Sequence, residues 1–384
     1  MIKRIFIKNF KSLADFSIPL GKFSCLIGMN GAGKTTVLQA LDFIGHLACG
    51  ITDFRGWEKN EVITSGSSSR TLEFQVDFAL DVSQHDISWS GKYNIDRQKF
   101  TEELIQTSKS ADSLFLNKYL SLKDNRLYYD GTVNTIAAKD ISDYNYKGSV
   151  LSAFKFDDPV ICAVQKELQS LKSLELLSPN LMRKGALPNT DLGTGGDGLA
   201  GFLSKLNEND AAVLAAILRE FYPLVDKYEI KRKKFGWKKL LIREAAFKAP
   251  ISSAHINDGY LRILAILSQK FSKASFLLFD EIENGINQEL IEKLLKELQN
   301  FNGKQVMVTT HSALILNFLA DETAKESVIF LYKDRRGYTH AVKFFDIPEI
   351  AGKLALLGPG EVMSDTNLER LSGQLAIAAD AENK

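Results

Sequence analysis

Three cysteines in 384 residues are too few for a disulfide framework, and Cys25, Cys49 and Cys162 lack metal-ligand spacing. They read as buried thiols of a protein kept in a reducing cytoplasm. Net charge is equally scarce. The 48 basic and 47 acidic residues leave +1, so no overall field draws the chain to nucleic acid or membrane, and such binding has to come from a local patch. No apolar run approaches the roughly eighteen residues that cross a bilayer, and the N-terminus has no apolar signal core, which predicts a soluble, cytoplasmic protein without membrane contact. Sustained heptads are missing too, which excludes a long coiled-coil arm. What is present, 45% hydrophobic residues, can bury a substantial core, and the length suits one large domain with an insertion.

The most specific stretch is GMNGAGKTT, Gly28 to Thr36. The apolar run Phe23 to Ile27 reads as a buried strand and Thr35 to Leu47 as a helix, so the glycines fall at a strand-to-helix turn, the setting a phosphate-binding P-loop needs. Glycines at 28, 31 and 33 let backbone N–H groups close around phosphate oxygens. Asn30, Gly31, Ala32, Gly33, Lys34, Thr35 and Thr36 form the cradle for ATP or GTP. Lys34 supplies a cation for the β and γ phosphates, and the Thr35 hydroxyl is a ligand for Mg²⁺.

A second apolar strand, Phe276 to Phe279, ends in Asp280 and Glu281 and reads as a Walker B element, with Asp280 on the metal and Glu281 on the attacking water. A third, Gln305 to Val308, ends in Thr309, Thr310 and His311. Strand ends of α/β sheets carry active groups, so His311 is a candidate to approach the γ phosphate. Between these elements, His255 to Arg262 puts polar residues and a glycine before the apolar Ile263 to Leu267, the pattern of a helix N-terminus able to bind an anion.

P-loop, polar helix start, Walker B pair and histidine occur in the order of an ABC-type ATPase. The opening Ile7-Lys8-Asn9-Phe10-Lys11-Ser12-Leu13 resembles that of RecF, SMC and OLD-type ATPases. FDEIENGIN (Phe279 to Asn287) and TTHSALILN (Thr309 to Asn317) resemble the small OLD-like AAA ATPases of bacterial antiphage and abortive-infection operons. This resemblance implies an α/β P-loop NTPase, an ABC-type head with an antiparallel β layer and an inserted, mainly helical lobe. Expected divisions are residues 1–81 and 240–345 for the head, 82–239 for the lobe and 346–384 for a tail. It further implies a homodimer or higher homo-oligomer with head-to-tail ATP sites, in which Asn257, Gly259 and Arg262 form the signature and Asn284 to Asn287 the D-loop. Asn257 and Asp258 depart from the usual serine and glycine of that signature, which weakens the expectation of activation in trans. No Q-loop residue is assigned, since Gln165 sits inside an apparent helix.

OLD proteins carry a nuclease domain after the ATPase, whereas the 73 residues beyond His311 (384 minus 311) hold no clustered acidic motif. The expectation is an ATPase that does not itself cut DNA and controls a separate effector, a nuclease or toxin. Two other functions stay open: a RecF-like DNA-repair ATPase and a low-turnover nucleotide-binding scaffold.

Alternation over Thr71 to Leu80 and the extended Arg126 to Ile136 fit the β layer, and Asp158 to Leu174 and Asn209 to Tyr222 read as helices. GTGGDG, Gly193 to Gly198, matches a dinucleotide fingerprint but follows no strand and reads as a flexible loop. Lys231 to Lys239, KRKKFGWKK, reads as a basic hairpin tip with two aromatics, either a solvated turn or a contact for DNA phosphates and bases.

Overall fold

A computed structural model describes residues 1–53, 56–108, 117–130, 135–175, 177–188 and 191–382. Two compact units divide the chain, Met1–Leu171 with Leu319–Lys384, and Lys172–Phe318.

In the first unit, the hairpin of β1 (Ile2–Phe10) and β2 (Leu13–Pro19) leads into the fully buried β3 (Phe23–Gly28). There follow β4 (Thr71–Phe78), β5 (Ile87–Asn94), β6 (Lys99–Thr107), β7 (Lys118–Lys123), β8 (Arg126–Asp130) and β9 (Thr135–Asp140). All but β3 join one antiparallel sheet, ordered β2-β1-β4-β5-β6-β7-β8-β9. Its inner face follows the period-two rule: Leu72, Phe74, Val76 and Phe78 of β4 are buried, and Thr71, Glu73 and Gln75 are only half-covered. The expected strand Arg126 to Ile136 is β8 and the start of β9; residues 131–134 lie outside the described ones.

This face carries the P-loop helix, Lys34–Ala48. Phe43, 3% exposed, meets the rings of Phe10, Phe74 and Tyr93 at centroid distances of 5.4, 6.0 and 6.1 Å. Burying one such phenylalanine contributes about 1.5–3 kcal/mol, so aromatic packing fixes the helix on the sheet. On its other flank β3 pairs in parallel with Val328–Lys333, Gly28 opposite Leu331, and that strand pairs antiparallel with Thr339–Lys343.

In the second unit, Phe276–Phe279 and Gln305–Thr309 run parallel, Phe279 opposite Val308, so both end at the same level. The helix between them, Gln288–Gln299, buries Ile291, Leu294, Leu295 and Leu298. A three-stranded sheet of Val225–Arg232, Lys238–Glu244 and Ile251–Ser252 and the helices Glu208–Phe221 and Asp258–Ser268 complete the described core.

Several expectations differ from this arrangement. Strands β5 to β9 continue the ladder past residue 81, and the compact units divide at 171/172 and 318/319 instead of 81/82, 239/240 and 345/346. The helix expected over Asp158 to Leu174 stops at Gln169; Leu171–Ser173 is a strand, and the Leu174 N–H donates to the Leu278 carbonyl at 2.8 Å. Cys25 is buried, but Cys49 and Cys162 are exposed. Cys49 is the C-cap of the P-loop helix, and Cys162 lies off the stripe of Val160, Ile161, Val164 and Leu168 that its helix buries. No described helix is long and apolar enough to cross a membrane.

Candidate active site

The P-loop turns between β3 and its helix as the sequence predicts. Gly33 is the helix N-cap with φ 107°, a left-handed conformation that side chains rarely adopt. A Cβ there would also lie 2.4 Å from Thr339 Oγ1. The Thr339 hydroxyl donates to the Ala32 carbonyl at 2.9 Å and lies 2.8 Å from Ser12 Oγ, while the Thr339 N–H donates to the Ser12 carbonyl at 2.8 Å. The β1–β2 turn and the strand Thr339–Lys343 thus clamp the loop from behind.

Lys34 is 6% exposed and donates to the carbonyls of Gly28 at 2.8 Å and Met29 at 3.1 Å, so its ammonium lies within the loop. Asn30, Gly31 and Thr35 are exposed, and Thr36 is half-covered. No acidic residue stands in the first helical turn, so no carboxylate of that turn opposes the positive end of the helix dipole. These residue types fit a nucleoside triphosphate: the loop carries backbone N–H groups and an ammonium suited to its phosphates and a hydroxyl suited to a divalent cation.

In the second unit the paired strand ends bring Asp280, Glu281 and His311 together. The Thr309 hydroxyl donates to Asp280 Oδ1 and accepts the Glu281 N–H at 2.8 Å. Glu281 has φ 44°, a left-handed conformation costly for a residue with a Cβ. Its Oε1 lies 3.8 Å from His311 Nε2, and its Oε2 accepts from Asn284 Nδ2 at 3.3 Å. A carboxylate and an imidazole on adjacent strand ends can align a water and move its proton.

Asn257 is the N-cap of the helix Asp258–Ser268, its Oδ1 accepting the Tyr260 N–H at 2.7 Å. The cap uses the oxygen, which leaves the Nδ2 amide as the donor an anion could meet. Gly259 permits close packing, since a Cβ there would stand 2.7 Å from the Gly285 carbonyl oxygen. Arg262 lies along Gly285; burial lowers its pKa, and the carboxylates of Glu281 and Asp258 oppose that shift. The departure at Asp258 has a partner: Arg183 Nη2 donates to its Oδ1 at 2.6 Å and to the Ile256 carbonyl at 2.7 Å, which offsets the negative charge at this helix start.

Gln165 is confirmed inside a helix, where its Nε2 donates to the Leu151 carbonyl at 2.7 Å. Ser12, Arg183, Glu283 and Thr339 are site neighbours that sequence reading missed. Each reaches its partner across a gap in the chain, 75 positions for Arg183 and Asp258, and no local pattern marks them.

The fold resembles solved SMC heads. An SmcHead bound to the C-winged helix domain of ScpA matches with TM-score 0.57 at 15% identity, over 89% of this chain and 97% of that one. The Smc head domain with an extended coiled coil, bound to the C-terminal domain of ScpA derived from Pyrococcus furiosus, matches with TM-score 0.50 at 14% identity, over 92% and 99%. The fold is that of a P-loop head of the ABC type.

Sequence similarity narrows the class. A family described as "AAA ATPase domain" matches residues 1–178, and one described as "AAA domain, putative AbiEii toxin, Type IV TA system" matches residues 189–317. The OLD nuclease of Thermus scotoductus is 33% identical over 102 residues, 26% of this chain and 18% of that protein. The DNA replication and repair protein RecF of Photorhabdus laumondii is 35% identical over 72 residues, 18% of this chain and 19% of that one. Structural maintenance of chromosomes protein 1 of Schizosaccharomyces pombe is 30% identical over 156 residues, 35% and 12%. The chain therefore spans less than a fifth of the length of these relatives. Over these segments its sequence is similar to members of the RecF, SMC and OLD branch of ABC-type ATPases.

Proposed function

We propose that the chain hydrolyses ATP and acts as a nucleotide-driven switch in a bacterial antiphage system, controlling a separate effector, a nuclease or toxin, in the cytoplasm. The observation that carries the hydrolytic part is the arrangement around Glu281, a strained carboxylate beside His311 with Asp280 tied to the same Thr309 hydroxyl. Strain kept at an acid on a strand end points to use of that acid.

In this reading the P-loop amides and Lys34 hold the phosphates, while Thr35 and Asp280 hold Mg²⁺. Bound there, the metal neutralises charge on the β and γ phosphates. Glu281 accepts the proton of the attacking water, and His311 faces the γ phosphate. Two protomers associate head to tail, so Asn257 and Gly259 of each close the nucleotide held by the other. Assembly size and turnover test this. ATP-dependent association with turnover lost in Lys34→Ala and Glu281→Gln supports the switch. A fixed oligomer that binds ATP without turnover would indicate the low-turnover scaffold.

One observation favours DNA contact, as in a RecF-like repair ATPase. The hairpin places Lys231 opposite Lys239 and Arg232 opposite Lys238, like-charge pairs that destabilise a strand ladder. At its tip Phe235 is 93% exposed with φ 56°, and Trp237 is 45% exposed. Accepting like-charge repulsion and an exposed ring fits a surface kept for phosphates and bases. Neutralising Lys231 to Lys234 should abolish binding whose affinity falls with salt; unchanged binding would remove the hairpin from this role.

A further inference from the structure

We propose that Glu283 is a positioning residue for hydrolysis, fixing His311 through its main chain so that the imidazole stays against Glu281. The inference rests on the ATPase reading above. Glu283 Oε1 accepts two bonds of 2.9 Å, from the Thr310 hydroxyl and from the His311 N–H. The Thr310 hydroxyl in turn accepts the Ser312 N–H at 2.9 Å. These bonds fall between the end of the strand Gln305–Thr309 and the start of the helix Ala313–Leu316, where neither ladder nor helix holds the backbone.

The second oxygen of the same carboxylate argues against a merely structural part. Glu283 Oε2 is buried with no hydrogen-bond partner among the described residues. An enclosed, unmatched polar oxygen is costly, and a neutral side chain could tie down the same turn more cheaply. A carboxylate accepts more strongly from N–H and O–H groups than an amide does, and so holds the turn more rigidly. Rigidity matters at this place, because the 3.8 Å separation of His311 Nε2 and Glu281 Oε1 is set by the peptide that Glu283 grips. A shift of about 1 Å in a reacting constellation can cost a hundredfold in rate.

The test compares wild type, Glu283→Ala, Glu283→Gln, His311→Ala and the double variant Glu283→Ala with His311→Ala. Steady-state ATP turnover and hydrogen–deuterium exchange across Thr310 and His311 are the two readouts. Glu283→Ala should lower kcat about tenfold or more and leave KM within about twofold, the size expected when an outer partner of an active group is lost. Glu283→Gln, whose carbonyl still accepts but more weakly than a carboxylate, should recover only part of that loss. The double variant should be no slower than His311→Ala alone, since two residues acting through one group do not add. Exchange at His311 should quicken in Glu283→Ala. Unchanged kcat, additive losses, a parallel rise in KM or unaltered exchange at His311 would each overturn the proposal. A wild type that turns over no ATP would overturn the ATPase reading instead, and exchange at His311 would still decide the grip of Glu283.

Discussion

Thr339 donates its hydroxyl to the carbonyl of Ala32, 307 positions earlier in the chain, and so ties a late strand to the back of the P-loop. Both groups are buried, so loss of the donor leaves an enclosed carbonyl unmatched. Thr339→Val keeps the shape and removes this bond and the one to Ser12. It should cost about 1–3 kcal/mol and weaken ATP binding, whereas Thr339→Ser should retain both. Urea midpoints and nucleotide titration check it; a Val variant with wild-type affinity and stability would refute the clamp.

Glu281 offers a second prediction through its backbone. Glycine adopts φ 44° without a Cβ penalty, so Glu281→Gly should raise stability by about 1 kcal/mol while abolishing turnover. Glu281→Gln keeps the strain and should match wild type in stability, with turnover equally lost. Chemical unfolding of the three proteins separates the effects.

At Gly259 two effects compete. Alanine gains up to about 1 kcal/mol of helix propensity, but its Cβ would stand 2.7 Å from the Gly285 carbonyl oxygen, a backbone atom that cannot rotate away. Overpacking of this kind costs about 1–3 kcal/mol, so Gly259→Ala should be net destabilising and should disturb the turn after Glu281. Gly352→Ala, with no atom within 4 Å of its Cβ, is the control and should be neutral or better. Equal melting temperatures for the two variants would dismiss the clash.

Glu103 supplies a pH test. Its carboxylate accepts from Trp89 Nε1 at 2.9 Å, from the Val150 N–H at 3.0 Å and from the Ser149 hydroxyl. Burial nevertheless raises its pKa, and the three donors oppose only part of that rise. A carboxyl with a raised folded pKa holds its proton more tightly folded than unfolded. Its contribution to stability is therefore complete below the unfolded value, about 4.3, and is lost as pH rises through the folded one. Lowering the pH from about 7.5 to about 5 should stabilise wild type relative to Glu103→Gln. Parallel urea midpoints for the two proteins at both pH values would rule this out.

The parts of this protein that were legible in its sequence are those encoded contiguously. The turn from Phe23 to Lys34 and the strand ending at Asp280 each carry strand, turn and chemistry within a dozen residues, and both form as expected. Asn257 was readable as a helix start for the same reason. By contrast, β5 to β7 went unread because an antiparallel strand is specified by neighbours across the ladder; Gly91, for instance, is accommodated only because Phe100 of the next strand lies over it. The overlong helix after Asp158 failed similarly. Leu168, Leu171 and Leu174 keep a helical spacing, yet pairing with Leu278 takes the end of the segment into a strand. Glu283, Arg183 and Thr339 are ordinary polar residues until the fold delivers their partners.

The parallel pairing of β3 with Val328–Lys333 also sets a schedule for the newly made chain. A ribosome completes the phosphate-binding sequence early, but the strand and the threonine that back it follow some three hundred codons later. At about 5–20 residues per second, that is a delay of roughly 15–60 s. During it the nascent polypeptide carries a nucleotide-binding motif without the wall that shapes it. ATP capture is then a late event of biogenesis, and a chain stalled before Val328 would be recognisable by its failure to retain nucleotide.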